Sequence, residues 1–289
     1  YRHVALTLDR ARRAATLVVR APADPQPADP DALARAGDRA WAIAAWRELD
    51  DAVLHLRANE PAVGVVLLRT AGDPDAVLAV DRMVATHRDH WLVREVRLLQ
   101  KRVLKRIDVT ARTFYALVEP ASAFAGSLLE LALAADRTYM LADGEGRSTV
   151  RFSAMNGGLL PTAAGISRLE ARFLGDAERV RRLLAHAGPL GAADALAAGL
   201  VTFAPDELDW DDETRLAIEE RAAMSPDALT GMEANLRFPG PETMETKIFG
   251  RLSAWQNWIF TRPNATGPAG ALTVYGAAGR RPELDWTRT

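Results

Sequence analysis

A carboxylate stands inside an apolar helical pattern near the middle of the chain. The stretch EPASAFAGSLLELALAAD, residues 119–136, carries Glu130 among leucines and alanines. Small residues run up to Gly126 and Ser127, so a helix is predicted to begin near Gly126. The first amides of a helix have no partner within it. Those of Gly126, Ser127 and Leu128 would face whatever lies at the helix start, where they could hold an oxyanion. Glu130 sits about one turn further on, and its side chain leans back toward the N-terminus. It could reach a group held by those amides and move a proton there. The same acid could simply offset the positive end of the helix dipole, and the residues alone leave both uses open.

Other chemistry-bearing residues give weaker patterns. His87 and His90 in THRDHW are three apart on a predicted helix, and Asp81 or Asp89 could complete a metal site. There is no HExxH, so solvated or core histidines are expected and no metal is assigned. Ser127 has no histidine near it in sequence, and GSLLE is not a GxSxG elbow. Gly157, Gly158 and Gly165 in NGGLLPTAAG form neither a GxGxxG loop nor a P-loop. In FGRLSAWQNWIF, the residues Phe249, Leu252, Trp255 and Trp258 share one helical face, expected to be core or subunit contact.

The composition is that of an ordinary globular chain: 289 residues, 48% hydrophobic, with 36 basic and 38 acidic residues and a net charge of -2. No basic field is built for nucleic acid or an acidic membrane. The absence of cysteine excludes disulfides, thiolate catalysis and cysteine metal sites. No apolar run approaches the ~20 residues that span a bilayer, and no charged-then-apolar leader opens the chain. A soluble cytoplasmic protein is expected. The chain opens on Tyr1, so it is expected to be part of something longer.

The elements that must position Glu130 follow from periodicity. VALTLDR and ATLVVRAP are predicted to form an N-terminal hairpin, and PADPQPADPDALARAGDR an exposed loop. Trp41 to Asn59 places Ala45, Leu49, Val53 and Leu56 on one helical face, and VGVVLLRT is a continuous apolar run suited to a buried parallel strand. AGDPDAVLAVD is predicted to be a loop leading into one charged helix, Arg82 to Ile107, with Leu92, Val96, Leu99 and Val103 as its buried stripe. TFYALVEP is a strand. DRTYMLADGEGRSTVRFSA is expected to be two strands around a glycine turn. Helical segments follow at 161–174, 176–188 and 191–200, then a closing strand VTFAP. Beyond Pro205 only ALTVYG has a strand pattern. The chain is therefore predicted to be an α/β core, 1–205, followed by a mostly helical region, 206–289.

These segments, in this order, resemble the crotonase (enoyl-CoA hydratase/isomerase) superfamily over roughly residues 4–205. WRELDDAVLHLRANEPAVGVVLLRT is similar to its helix and strand before the first oxyanion loop, VLAVD to that loop, and YALVEPASAFAGSLLELALAAD to the strand, glycine turn and helix. FSAMNGGLLPTAAGISRL and GPLGAADALAAGLVTFAP complete the series. Further on, ATHRDHWLVRE, SPDALTGMEANLRFPGPETMETKIFGRLSAWQNWIFTRPNA and GALTVYG resemble the C-terminal half of the benzoyl-CoA-dihydrodiol lyase family, also called 2,3-epoxybenzoyl-CoA dihydrolases.

The resemblance implies a crotonase-like spiral of ββα units and an acyl-CoA substrate. It implies ring opening of 2,3-epoxybenzoyl-CoA with release of formate, in the breakdown of benzoate through CoA thioesters. No metal or redox cofactor is implied, coenzyme A being part of the substrate, and a homo-oligomer is expected. It places the oxyanion-hole amides at Val80 and Ser127, with Gly126 permitting close approach, and Glu130 on the first catalytic carboxylate. Ala79, Gly126, Ala154 and Asn156 are expected to border the substrate. Ala154 stands where the hydratases carry their second carboxylate, and Glu119 or a histidine is the alternative source of that function. A plain enoyl-CoA hydratase or isomerase, and a non-catalytic acyl-CoA binder or structural subunit, are the other readings of the same resemblance.

Overall fold

The computed structural model describes residues 1–240 and 242–288. Pro241 and Thr289, both inside the expected C-terminal region, lie outside the described residues. The centre is a five-stranded sheet in the order β1 (Val4–Asp9), β2 (Ala14–Arg20), β3 (Val65–Ala71), β4 (Thr113–Val118) and β5 (Arg137–Met140). β1 and β2 form the expected hairpin, with Val4 opposite Val19 and Asp9 opposite Ala14. The remaining pairs are parallel, which requires crossover connections between them. A short helix, α1 (Pro30–Ala36), interrupts the stretch read as a loop. Asp29 caps it by accepting a hydrogen bond from the Ala32 amide at 2.7 Å.

Strand alternation sorts β4 onto two faces. Phe114, Ala116 and Val118 join the main core with the buried stripes of α2 (Trp41–Asn59), α4 (Trp91–Asp108) and α5 (Gly126–Ala134). Tyr115 and Leu117 turn the other way, onto a second cluster completed by Trp210, Ala217, Ile218 and Ala222 of α9 (Trp210–Ala222). Burial on both faces is what the unbroken apolar run of β4 demands.

Two expectations about elements are corrected. Residues 71–81 are not a loop, and 82–107 is not one helix. The chain forms α3 (Pro74–Thr86) and then α4, with a turn at 87–90. Asp73 caps α3 by accepting from the Asp75 amide at 2.8 Å, and Pro74 occupies the first turn, where no amide is needed. His87 and His90 fall in the break rather than on one helical face. After β5 the second expected strand shrinks to isolated bridges at Val150 and Arg151. The Asp143 carboxylate takes the amides of Glu145, Arg147 and Ser148, and this local turn displaces a ladder. VTFAP likewise forms no full strand, but it runs beside β5 through a bridge from Phe203 to Tyr139, and its Phe203 and Pro205 carbonyls accept from the Met140 and Ala142 amides at 3.0 and 2.8 Å.

The three expected helical segments are present in shortened form as α6 (Arg168–Arg172), α7 (Ala177–Leu184) and α8 (Ala192–Ala197). The C-terminal region continues from α9 through α10 (Pro226–Leu236), α11 (Met244–Lys247), a π-helical turn at Ile248–Leu252, α12 (Ser253–Ile259) and α13 (Pro263–Thr266). ALTVYG forms turns, its amides bonding locally to the carbonyls of Asn264, Ala265 and Gly270. Phe249 and Leu252 are 71% and 58% exposed, so that stripe is not core. Trp255 and Trp258 meet edge to face at 5.3 Å.

A closed site at the start of α5

The start of α5 is built as the sequence predicts, with Gly126 as its first residue and φ at +47°, a left-handed conformation that suits glycine. The amides at that start are nevertheless all occupied. Gly126 N–H donates to the Arg151 carbonyl at 2.9 Å and Leu128 N–H to the Ala125 carbonyl at 2.9 Å. Ser127 N–H donates to the Asp81 carboxylate at 2.7 Å. The same Asp81 oxygen accepts from the Ser153 hydroxyl at 2.8 Å, and it lies so close to Gly126 that a Cβ there would come within 1.8 Å of it. Ser127 is fully buried and Asp81 is 1% exposed. An anion sits at this helix start, as its dipole favours. It belongs to the protein.

The second expected amide fails for a related reason. Val80 lies inside α3, where its N–H bonds along the helix instead of pointing outward. The one-residue step from Val80 to Asp81 turns a different group toward α5. The buried face of α3, Val77, Val80, Asp81 and Val84, has the spacing of a core stripe, and Asp81 is the polar member aimed at the α5 start. Ala79 lies on the exposed side of α3. The expected oxyanion pair, Val80 with Ser127, is therefore not assembled in this arrangement.

Glu130 is 1% exposed and fully engaged. One of its oxygens accepts from Asn156 Nδ2 at 2.8 Å, and the other pairs with Arg168 at 3.2 Å. Arg168 also holds Asp108 at 2.7 Å. Asn156 Nδ2 bonds the Gly126 carbonyl at 2.9 Å, and its Oδ1 accepts from the Ser153 amide at 2.9 Å. It thus ties the turn at Ala154–Gly157 to α5. Burial pushes the Glu130 carboxyl above the usual range, against the opposing pull of Arg168 and Asn156. Burial likewise pushes Asp81 up, to about 6, against hydrogen bonds from Ser127 and Ser153.

Sequence reasoning found Gly126, Ser127, Glu130 and Asn156, and the fold brings these four together. It gave no site role to Arg168 or Ser153, although both stand in the quoted GISRL and FSAMN segments. Asp81 was weighed only as a partner for the histidines; its signal was an acid at core-stripe spacing. Ala154 is exposed and opens the turn Ala154–Gly157, where its methyl group can neither give nor take a proton. Glu119 is bound elsewhere, paired with Arg69 and accepting from Trp210 Nε1 at 3.1 Å. A pocket of about 620 Å³ lies above the site, lined by Asp81, Ser153 and Ala154 and flanked by Arg82 and Arg88.

No protein-family model matches the chain. Solved structures share its fold: an enoyl-CoA hydratase from Geobacillus kaustophilus HTA426 (TM-score 0.69, 14% identity, 98% of this chain and 97% of that one) and an enoyl-CoA hydratase/isomerase from Marinobacter aquaeolei (TM-score 0.66, 16% identity, all of both chains). At these identities the likeness is one of fold. In sequence, the chain is 52% identical over all 289 residues to the benzoyl-CoA-dihydrodiol lyase of Aromatoleum evansii. It spans about half, 52%, of that relative's length. Among the described residues no helix is long and apolar enough to cross a membrane. The crotonase-type core, the glycine-led α5 and this whole-chain identity lead to one conclusion: the chain has the crotonase fold of the enoyl-CoA hydratases and is similar in sequence, along its whole length, to a benzoyl-CoA-dihydrodiol lyase.

Proposed function

We propose that the chain is a crotonase-fold unit of a ring-opening CoA-thioester lyase, acting as a structural unit whose own α5 site is held shut. The enzyme it serves would open 2,3-epoxybenzoyl-CoA and release formate. The observation that carries this reading is the Asp81 carboxylate on the Ser127 amide. A thioester oxygen that becomes enolate-like needs free donors aimed at its growing charge. Here the donor already holds a negative group, and a second anion at that position would be repelled. Ala154 supplies no proton, and Glu130 is committed to Arg168 and Asn156, so proton transfer has no free partner in this arrangement. Support for the substrate class comes from the 52% identity to a protein named as a benzoyl-CoA-dihydrodiol lyase.

One observation favours a second reading, in which the chain itself is catalytic. The pocket above Asp81 reaches Ser153 and Ala154 and has two arginines at its rim, so an acyl-CoA that displaced Asp81 would find room and a cationic border. Glu130 would then be the remaining acid. The test is to incubate the purified chain with 2,3-epoxybenzoyl-CoA and with crotonyl-CoA, following formate and hydration. The structural reading expects neither product above background, from wild type or from Asp81→Ala. Formate release that falls ~100-fold in Glu130→Gln, the scale for losing a general acid or base, overturns it in favour of catalysis by Glu130.

A further inference from the structure

A second cavity, of about 550 Å³, lies among the end of α5, the start of β5, α6, α9 and α10. It shares no lining residue with the pocket above Asp81, and its size suits a small molecule. Five guanidinium groups line it, those of Arg137, Arg168, Arg172, Arg221 and Arg237, against three carboxylates, Asp108, Asp136 and Glu233. All three carboxylates are engaged. Asp108 lies 2.7 Å from Arg168, and Asp136 lies 2.7 Å from Arg237. Glu233 accepts from the Thr113 hydroxyl and lies 3.7 Å from Arg237.

The other three arginines make no ion pair among the described residues. Arg172 Nε donates to the Gly199 carbonyl at 2.7 Å, and Arg221 Nε to the Tyr115 hydroxyl at 3.1 Å. The guanidinium groups of Arg137 and Arg221 each lie 5.9 Å from the centre of the Tyr115 ring. Neutral partners orient these cations; Glu220 acts on Arg137 through its charge but makes no ion pair with it. Burial lowers the pKa of Arg172, as desolvation does to a cation. Arg168, only 4% exposed, keeps a buried Nε without a partner. Leu133, Ala171, Leu236 and Phe238 supply apolar wall.

We propose that this cavity binds a small organic carboxylate with a compact apolar body, its charged end set against Arg137, Arg172 and Arg221. A carboxylate matches the planar fork of a guanidinium, the excess of arginines over acids supplies the attraction, and the apolar wall takes the hydrocarbon. The inference does not depend on whether the α5 site is closed.

The test titrates benzoate into the whole chain at low salt by calorimetry, with inorganic phosphate as a second probe. Saturable one-to-one binding of benzoate is expected, with phosphate at least ~10-fold weaker because it has no apolar body. Arg172→Gln and Arg137→Gln should each weaken benzoate about 10-fold or more, and Arg137→Lys should weaken it less. Arg151→Gln, which breaks a surface pair with Asp75, and Asp81→Asn should leave it unchanged. Arg137 is partly exposed, so its variants test the site without disturbing the core, and circular dichroism melts check their folding. Absence of saturation by about 20 mM benzoate, equal affinity for phosphate, or an equal loss in Arg151→Gln overturns the proposal.

Discussion

Asp81 concentrates the electrostatics of the α5 start. Its carboxyl titrates at about 6 in the folded chain, against about 4 for an exposed aspartate. Between those values the folded state holds a proton that the unfolded state has released, so this group's contribution to stability falls as pH rises through the window. Asp81→Asn removes that titration. The stability difference, variant minus wild type, should therefore grow in the variant's favour by up to ~3 kcal/mol between about pH 4 and pH 7. Urea unfolding at several pH values measures it, and a pH-independent difference contradicts the assignment. Arg168 stands in the opposite position, as the sole cation paired with Glu130 among the described residues. Arg168→Leu should cost about 3–5 kcal/mol, because it leaves a buried carboxylate without its counter-ion. The same unfolding experiment reads it, and a loss below ~1 kcal/mol would mean that Glu130 is held neutral.

At the scale of elements, the contact between α3 and α5 closes the site, and Gly126 is its tightest point. Gly126→Ala combines a left-handed φ with a Cβ in the space of the Asp81 carboxylate, and should cost at least ~2 kcal/mol. Asp81→Ala removes the closest overlap but leaves the Ser153 hydroxyl, 2.6 Å from that Cβ, and the backbone strain. A double-mutant cycle should therefore give a coupling of about 1–2 kcal/mol in the compensating direction, whereas purely additive costs would place the two residues out of contact. Elements with strong periodicity were legible. The buried stripe of α2 and the apolar runs of β3 and β4 are where the sequence puts them. α3 was misread because Gly72 and Asp73-Pro74 are also turn residues, although the aspartate cap and first-turn proline of a helix were both present. The strand after β5 was missed in the other direction, since the side-chain bonds of Asp143 to three amides are invisible to a propensity argument.

Across the whole molecule, the sheet needs cover on both faces, and α9 provides it on the second. Tyr115, Leu117, Val65 and Tyr139 are buried against Trp210 and Ile218. A chain ending at residue 205 would leave these side chains in water, and truncation there tests whether the expected boundary is also a folding boundary. Residues 1–205 made alone should bind a hydrophobic dye and melt without a sharp transition; a cooperative melt close to that of the whole chain would show that α9 is dispensable. Trp210→Ala, with loss of its packing and its bond to Glu119, should cost about 3–5 kcal/mol in the whole chain.

The sequence by itself determined the α/β class, the strand and helix that lead to Gly126, and the acid one turn beyond it. Periodicity and composition act over a few residues, and those features are local. The ordered resemblance to crotonases added the relation between segments, including the alanine where a second carboxylate would stand. Only the tertiary structure decided what the α5 start holds. The partner of the Ser127 amide is Asp81, 46 positions earlier in the chain, and that of Glu130 is Arg168, 38 positions later. Whether a buried carboxylate serves chemistry or closes a fold depends on which group meets it across such distances. No local pattern carries that information, because it is set by how α3, α5 and α6 pack on one sheet.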